Sequence, residues 1–280
     1  MRITVIQKNV SDDKSANLQS VAELVERAVQ HDRADFVVLP EMITCITGAP
    51  AVMRASAEPF PGGDTFQFFA NLAKRLKVNL HIGSAMELDG DDVYNTSLVF
   101  GRNGQLLAKY RKIHRFDAVL ADGTELKESA HVAAGKDVVC VDVDGVRVGL
   151  AICYDLRFPE LFHALCEVGA ELIVVPAAFT FQTGADHWEV LLRARAIECQ
   201  CYVAAPCQVG SFDKGKYMTW GHSMIIDPWG QVVAQASNAE AFATASIDRD
   251  YQQGIRTRMP LKSHRLLAGQ FRINLPGEQC

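Results

Sequence analysis

No apolar run among the 280 residues approaches the roughly 20 that a membrane-crossing helix requires. The opening MRITVIQ is too short and too alternating for a secretory leader, so a cytoplasmic protein with no membrane contact is expected. A block of basic residues is also missing. With a formal net charge of −5 and 22% charged residues the chain is mildly acidic, and nucleic acid is not expected as a partner. Low-complexity tracts, linkers and short-period repeats are absent, and hydrophobic residues make up 49% of the chain. One domain with a large core is therefore expected over 1–280. There is no HExxH for a zinc hydrolase and no cysteine-histidine signature of a papain-like protease. Eight cysteines are scattered without a small-domain framework, which favours reduced thiols. Cys199 and Cys201 lie close together, but no second pair or histidine stands at zinc spacing.

What is present is an alternation of strand and helix patterns. Residues 2–7 read as a strand, and Leu18, Val21, Leu24, Val25 and Ala28 then recur at helical spacing before a strand at Phe36. Phe66, Phe69, Ala73 and Leu76 mark a second helix, followed by strands over 80–88 and 93–100. Strands over 138–143 and 146–152, one near 172–176 and a helix near 187–200 repeat the theme. Such alternation indicates an α/β fold with buried sheets.

Three of these segments end in residues with chemical potential. Residues 148–155 (VGLAICYD) pass from a strand pattern to a helix pattern at Cys153. A cysteine there is by composition a buried small hydrophobe, and it becomes a nucleophile only with a base, a cation or a helix N-terminus beside it. Asp155, Arg157, Pro159 and Glu160 read as a first helical turn whose amides would face the sulfur. Residues 35–41 (DFVVLPE) form a short apolar run ending in Glu41, and 105–112 (QLLAKYRK) end in Lys112. A charged residue just past a strand is usually solvated, but Glu41 has apolar neighbours on both sides. A carboxylate in a dry pocket can accept a thiol proton and return it.

VLPEM, KYRKIHRFD and AICYDLRFPEL, in that order and at wide spacing, resemble the three signature motifs of the nitrilase superfamily of carbon-nitrogen hydrolases. The likeness runs over nearly the whole chain. It is greatest to the Nit branch and, through TGADHWEVLLRARAIECQCYVAAPCQVG and GHSMIIDPWG, to deaminated glutathione amidases more than omega-amidases. The resemblance implies a four-layer α-β-β-α sandwich that pairs through helices into a homodimer or higher homo-oligomer. Trp188, Leu191 and Leu192, and the C-terminal segment from about 255 to 280, are candidates for that contact or for intrachain core.

It also implies roles. Glu41 takes the proton of Cys153, the thiolate attacks an amide carbonyl, and Lys112 with the Tyr154 amide holds the oxyanion. A thioester forms, then water hydrolyses it; no metal or organic cofactor is required. Glu128, in LKES, matches a second glutamate that orients the lysine and the substrate amide, although the extra segment 118–125 blurs that match. Its alternative is a cap or surface residue. Arg157 is the candidate partner for a substrate carboxylate, with an ion pair to Glu160 or another acid as the alternative. Phe179, Thr180 and Thr183 are expected to line the pocket. The same catalytic set serves nitrilases and N-carbamoyl amino acid hydrolases, and a non-catalytic binding protein on this scaffold is the remaining alternative.

Overall fold

Alternation within the first strands decides how the layers stack. In the computed structural model, which describes residues 1–119, 123 and 125–266, the first half contains β1 (Arg2–Gln7), α1 (Lys14–Asp32), β2 (Phe36–Val38), α2 (Pro50–Ala55), α3 (Gly63–Leu76), β3 (Asn79–His81), β4 (Ala85–Asp89), β5 (Asp92–Phe100) and β6 (Leu106–Arg111). A hairpin of β7 (Asp117–Val119) and β8 (Glu125–Lys127) follows. The second half holds β9 (Cys140–Val143), β10 (Val146–Leu150), α4 (Pro159–Glu167), β11 (Leu172–Val174), α5 (Phe181–Cys199), β12 (Tyr202–Ala205), β13 (Val209–Phe212), β14 (Tyr217–Trp220), β15 (Met224–Ile226), β16 (Val232–Gln235), β17 (Ala241–Ser246), α6 (Arg249–Arg258) and α7 (Leu261–His264).

One sheet runs β17-β1-β2-β3-β5-β4, with β6 also on β5; the other runs β16-β15-β12-β11-β10-β9. Both have parallel centres, β1-β2-β3 and β10-β11-β12. On the first sheet, Ile3, Val5, Phe36 and Val38 share a core with Val148, Leu150, Ile173 and Val203 of the second. The alternate positions Ile6, Val37 and Leu80 pack with Val21, Leu24 and Val25 of α1 and Phe69 and Leu72 of α3. Because side chains alternate across a strand, these two memberships place the sheets face to face with α1 and α3 outside. Phe162 of α4 and Trp188 and Leu192 of α5 close the other side. The expected four-layer sandwich is what forms.

Several element boundaries differ from the sequence pattern. The run expected as one strand over 80–88 is broken into β3 and β4 at Gly83, whose φ is 68°. A Cβ there would lie 1.9 Å from the Pro40 carbonyl oxygen, so only glycine lets this link approach the chain just before Glu41. Strand pairing in the 35–41 segment covers only β2, and the helix expected at 187–200 begins earlier, where Thr180 caps α5 by accepting from the Thr183 amide at 3.4 Å. Trp188 and Leu192 are fully buried, and the Trp188 indole donates to the His222 carbonyl at 2.9 Å. Those two are intrachain core and leave the list of candidates for a dimer contact. Residues 267–280 of the proposed C-terminal contact lie outside the described residues, as do 120–122 and 124 of the extra segment.

Candidate active site

Three strand ends deliver three side chains to one place. Glu41 follows β2 and is held from both directions: Gln208 donates to its carbonyl at 2.7 Å, and Ser84 takes the Met42 amide at 3.0 Å. Lys112 follows β6, its amide bound to the Asn95 carbonyl at 2.8 Å. Cys153 follows β10, its amide bound to the Pro176 carbonyl at 2.9 Å, with a φ of 47°. A positive φ in a non-glycine residue costs about 1–3 kcal/mol and persists only where its surroundings impose it.

Asp155 imposes it. The segment 155–160 was expected as the first turn of a helix; instead residues Cys153–Arg157 form a 3-10 turn and α4 starts only at Pro159. Asp155 is fully buried inside the turn. Its Oδ2 accepts from the Ile152 amide at 2.9 Å and the Tyr110 hydroxyl at 2.7 Å, and its Oδ1 accepts from the His114 amide at 2.9 Å. A carboxylate so bound can fold the backbone sharply on either side of the sulfur. No carbonyl of the described residues accepts from the Tyr154 N–H, which leaves that donor free beside Cys153.

Around the buried Lys112 ammonium the geometry is close. Its Nζ donates to Glu41 Oε1 at 3.0 Å and to Glu128 Oε2 at 2.9 Å. Glu41 Oε2 accepts from the Ala178 amide at 2.9 Å, and Glu128 Oε2 from the Phe116 amide at 2.6 Å. The structure therefore brings Glu128 to the lysine. The Cys153 thiol and Glu41 line the same cavity. Burial and the Glu41 charge push that thiol well above its ordinary value, with Lys112 offsetting only part. Burial alone would pull the lysine down, but the Glu128 and Glu41 carboxylates reverse this and hold it well above its ordinary value. At rest the site thus carries a thiol and an ammonium, and a base must remove the thiol proton as the sulfur attacks.

Asn95 was not found by sequence reasoning. In the sequence it is only the first residue of an N-T-S triplet within a strand pattern. In the fold it is fully buried on β5, and its Nδ2 donates to Glu41 Oε1 at 2.9 Å and to Glu128 Oε1 at 3.3 Å. It bridges two carboxylates that share one cation. Replacing it with leucine removes hydrogen bonds to charged groups, and urea unfolding should show a loss of about 1.5–3 kcal/mol. An unchanged midpoint would contradict that accounting.

Cys153 stands where two chambers meet. The larger, of about 250 Å³, is reached by Glu41, Lys112 and Glu128 and walled by Met42, Ile46, Met53 and Met86. The smaller, about 20 Å³, is lined by Phe116, Tyr154, Arg157, Phe179, Thr180 and Thr183. All the residues expected to line the pocket are thus at the site, although the Thr180 and Thr183 hydroxyls bond each other at 2.8 Å. Arg157 has no carboxylate partner among the described residues, so the expected alternative of an ion pair with Glu160 is not realised. Its guanidinium stands over the Tyr154 and Phe179 rings, 5.8 and 5.4 Å from their centroids, and meets His187 Nδ1 at 3.3 Å.

The family model described as carbon-nitrogen hydrolase matches residues 2–257. The chain is 39% identical over 260 residues to omega-amidase NIT2 of Homo sapiens, covering 93% of each chain. It is 39% identical over 267 residues to the deaminated glutathione amidase of Synechocystis sp., covering 93% of this chain and 96% of that one. Among solved structures, Saccharomyces cerevisiae Nit3, a member of branch 10 of the nitrilase superfamily, superposes with a TM-score of 0.85 at 33% identity over 93% of this chain and 94% of its own.

Proposed function

The chain belongs to the carbon-nitrogen hydrolase family, and from that premise we propose that it is an amidase acting on a small carboxylate-bearing amide of the omega-amide or deaminated glutathione type. The products of the simplest such substrate are the acid and ammonia. The observation that carries this reading is the convergence of Glu41, Lys112 and Cys153, with Glu128, on one buried cavity.

Each group has a role that its position supports. Glu41 accepts the thiol proton, and the sulfur attacks the amide carbon. The oxyanion develops between the Lys112 ammonium and the free Tyr154 N–H. Glu41 then protonates the departing nitrogen as the C–N bond breaks and a thioester remains. Glu41 next deprotonates the water that cleaves the thioester, which restores the thiol and releases the acid. Glu128 fixes the lysine and faces the substrate amide.

Arg157, unpaired and framed by two rings, is the contact for the substrate carboxylate. Lysine lacks the planar fork, so Arg157→Lys should raise KM for anionic amides by about tenfold and spare neutral ones. Equal effects on both classes would remove this role.

The nitrile and N-carbamoyl alternatives use the same side chains, but both amidase-named relatives support the amide. Hydrolysis rates over a panel of omega-amides, deaminated glutathione, nitriles and carbamoyl amino acids test the choice. Preference for amides is expected, and preference for nitriles would overturn it. The reading extends to one hydrolase domain over 1–280, a cytoplasmic location and a homodimer. No helix among the described residues is long and apolar enough to cross a membrane. Exposed Val190 and Ile197 on α5, and exposed Trp229 next to the Gly230 that packs on Ile197, favour pairing; a sedimentation run giving only monomer would exclude it.

A further inference from the structure

We propose that Cys166 and Cys201 form a disulfide when hydrogen peroxide reaches the protein, an oxidisable site separate from Cys153 and independent of the chemistry there.

Three thiols gather where the C-terminal ends of α4 and α5 meet the start of β12. Cys166 lies in the last turn of α4, Cys199 ends α5, and Cys201 directly precedes β12. The Cys199 carbonyl oxygen stands 3.9 Å from the Cys166 sulfur and 3.2 Å from the Cys201 sulfur. Two sulfurs on one oxygen are neighbours, and rotation about their Cα–Cβ bonds is the motion that joins them. The chain can follow that motion, because Cys166 is succeeded by the exposed residues 167–169, which end at Gly169 with a φ of 90°.

Access and charge give the three thiols different roles. Cys166 is half-buried whereas Cys199 and Cys201 are buried, so a peroxide arriving from solvent meets Cys166 first. The thiolate is the form that reacts. The adjacent Cys199 and Cys201 thiols hold Cys166 below its ordinary value, and Arg265 and His163 add to this. Cys166 and burial in turn raise the other two. Cys153 is the opposite case, held well above its ordinary value by burial and the Glu41 charge.

Cys201, and not Cys199, is the second partner. Arg256 of α6 donates to the Cys201 sulfur at 3.3 Å and to the Ala170 carbonyl at 2.8 Å. That cation supports the sulfur as a thiolate during attack and keeps its carbonyl partner when the sulfur moves away. The Cys199 sulfur faces the Phe162 carbonyl at 3.6 Å, and no cation bonds it among the described residues.

The reaction balances in two steps. The Cys166 sulfur attacks one peroxide oxygen, the O–O bond breaks, and a sulfenic acid and one water form. The Cys201 sulfur then attacks the Cys166 sulfur, the S–O bond breaks, and the oxygen leaves as a second water with the Cys201 proton. The two thiols together lose the two electrons that the peroxide gains.

One equivalent of hydrogen peroxide added to the folded, reduced protein tests this, with remaining thiols alkylated after denaturation and peptides mapped without reduction. The expected product is a Cys166–Cys201 linked peptide pair, lighter by two hydrogens than its reduced parts, distinguished from a Cys199 link by fragment ions and reversed by dithiothreitol. Cys166 should be consumed about tenfold faster than Cys153. Cys199→Ser should keep the link, and Cys201→Ser should leave a sulfenic acid at Cys166 that a 1,3-dione captures. Absence of the link, a link to Cys199 instead, no capture at Cys166 in the Cys201→Ser variant, or consumption of Cys153 ahead of Cys166 overturns the proposal.

Discussion

Cys153→Ala should release no product above about one ten-thousandth of the unaltered rate from any accepted amide. The sulfur is the only protein atom in the proposed sequence that bonds to the substrate, and no other side chain at the junction of the two chambers is placed to replace it. Glu41 and Glu128 are turned onto Lys112, and Lys112 is held as an ammonium with no lone pair to offer. The loss cannot be ascribed to unfolding. Alanine at a φ of 47° is strained to the same degree as cysteine, and the turn is held by Asp155 through backbone amides that the substitution leaves in place. The variant should therefore melt within a few degrees of the parent while losing activity. Full turnover by the variant would end the covalent account.

Lys112→Met should cost both activity and stability, and the two losses should separate. Removing one oxyanion donor lowers kcat by about 100- to 1,000-fold. Removing the one cation that bridges Glu41 and Glu128 among the described residues also leaves the buried Glu41 and half-buried Glu128 carboxylates facing each other through Asn95, a loss of about 3 kcal/mol of stability. Adding Glu128→Gln to the variant removes one of those charges and should restore much of the stability without restoring turnover. A double variant as unstable as the single would contradict this. The same geometry fixes the alkaline side of the pH profile. A lysine whose folded-state value is raised is fully protonated below its ordinary value of about 10.4, and its contribution fades only as pH climbs through the higher folded-state value. Because the Cys153 thiol is raised as well, kcat/KM should show no fall from loss of the ammonium between about pH 8 and 10.

The sequence placed Glu41, Lys112 and Cys153 because each ends a strand, and strand periodicity is visible in residues that alternate or run apolar. What periodicity does not carry is the partner of each group. Asn95 sits in β5 at a position where any small residue would satisfy the pattern, and only the tertiary approach of β2 and the Glu128 turn makes its amide a bridge. Asp155 has the composition of a helix start but is drawn inward by the Tyr110 hydroxyl and the His114 amide, both from the other sheet's end of the molecule. Trp188 and Leu192 were ambiguous because an apolar face does not say whether its cover is the same chain or a second copy. Gly83 breaks an unbroken apolar pattern for a reason that lies 43 residues away at Pro40. The α/β alternation was legible locally, whereas the pocket's polarity was set by contacts between distant segments.

The central claim is that the substrate's acyl group passes through the sulfur of Cys153, and quenched-flow mass spectrometry during turnover of an accepted amide tests it most directly. The expected result is a transient adduct equal in mass to the acyl half alone, on the peptide that contains Cys153, lost in the alanine variant. Turnover at the full rate with no adduct at Cys153, or with the acyl group on a different residue, would contradict it.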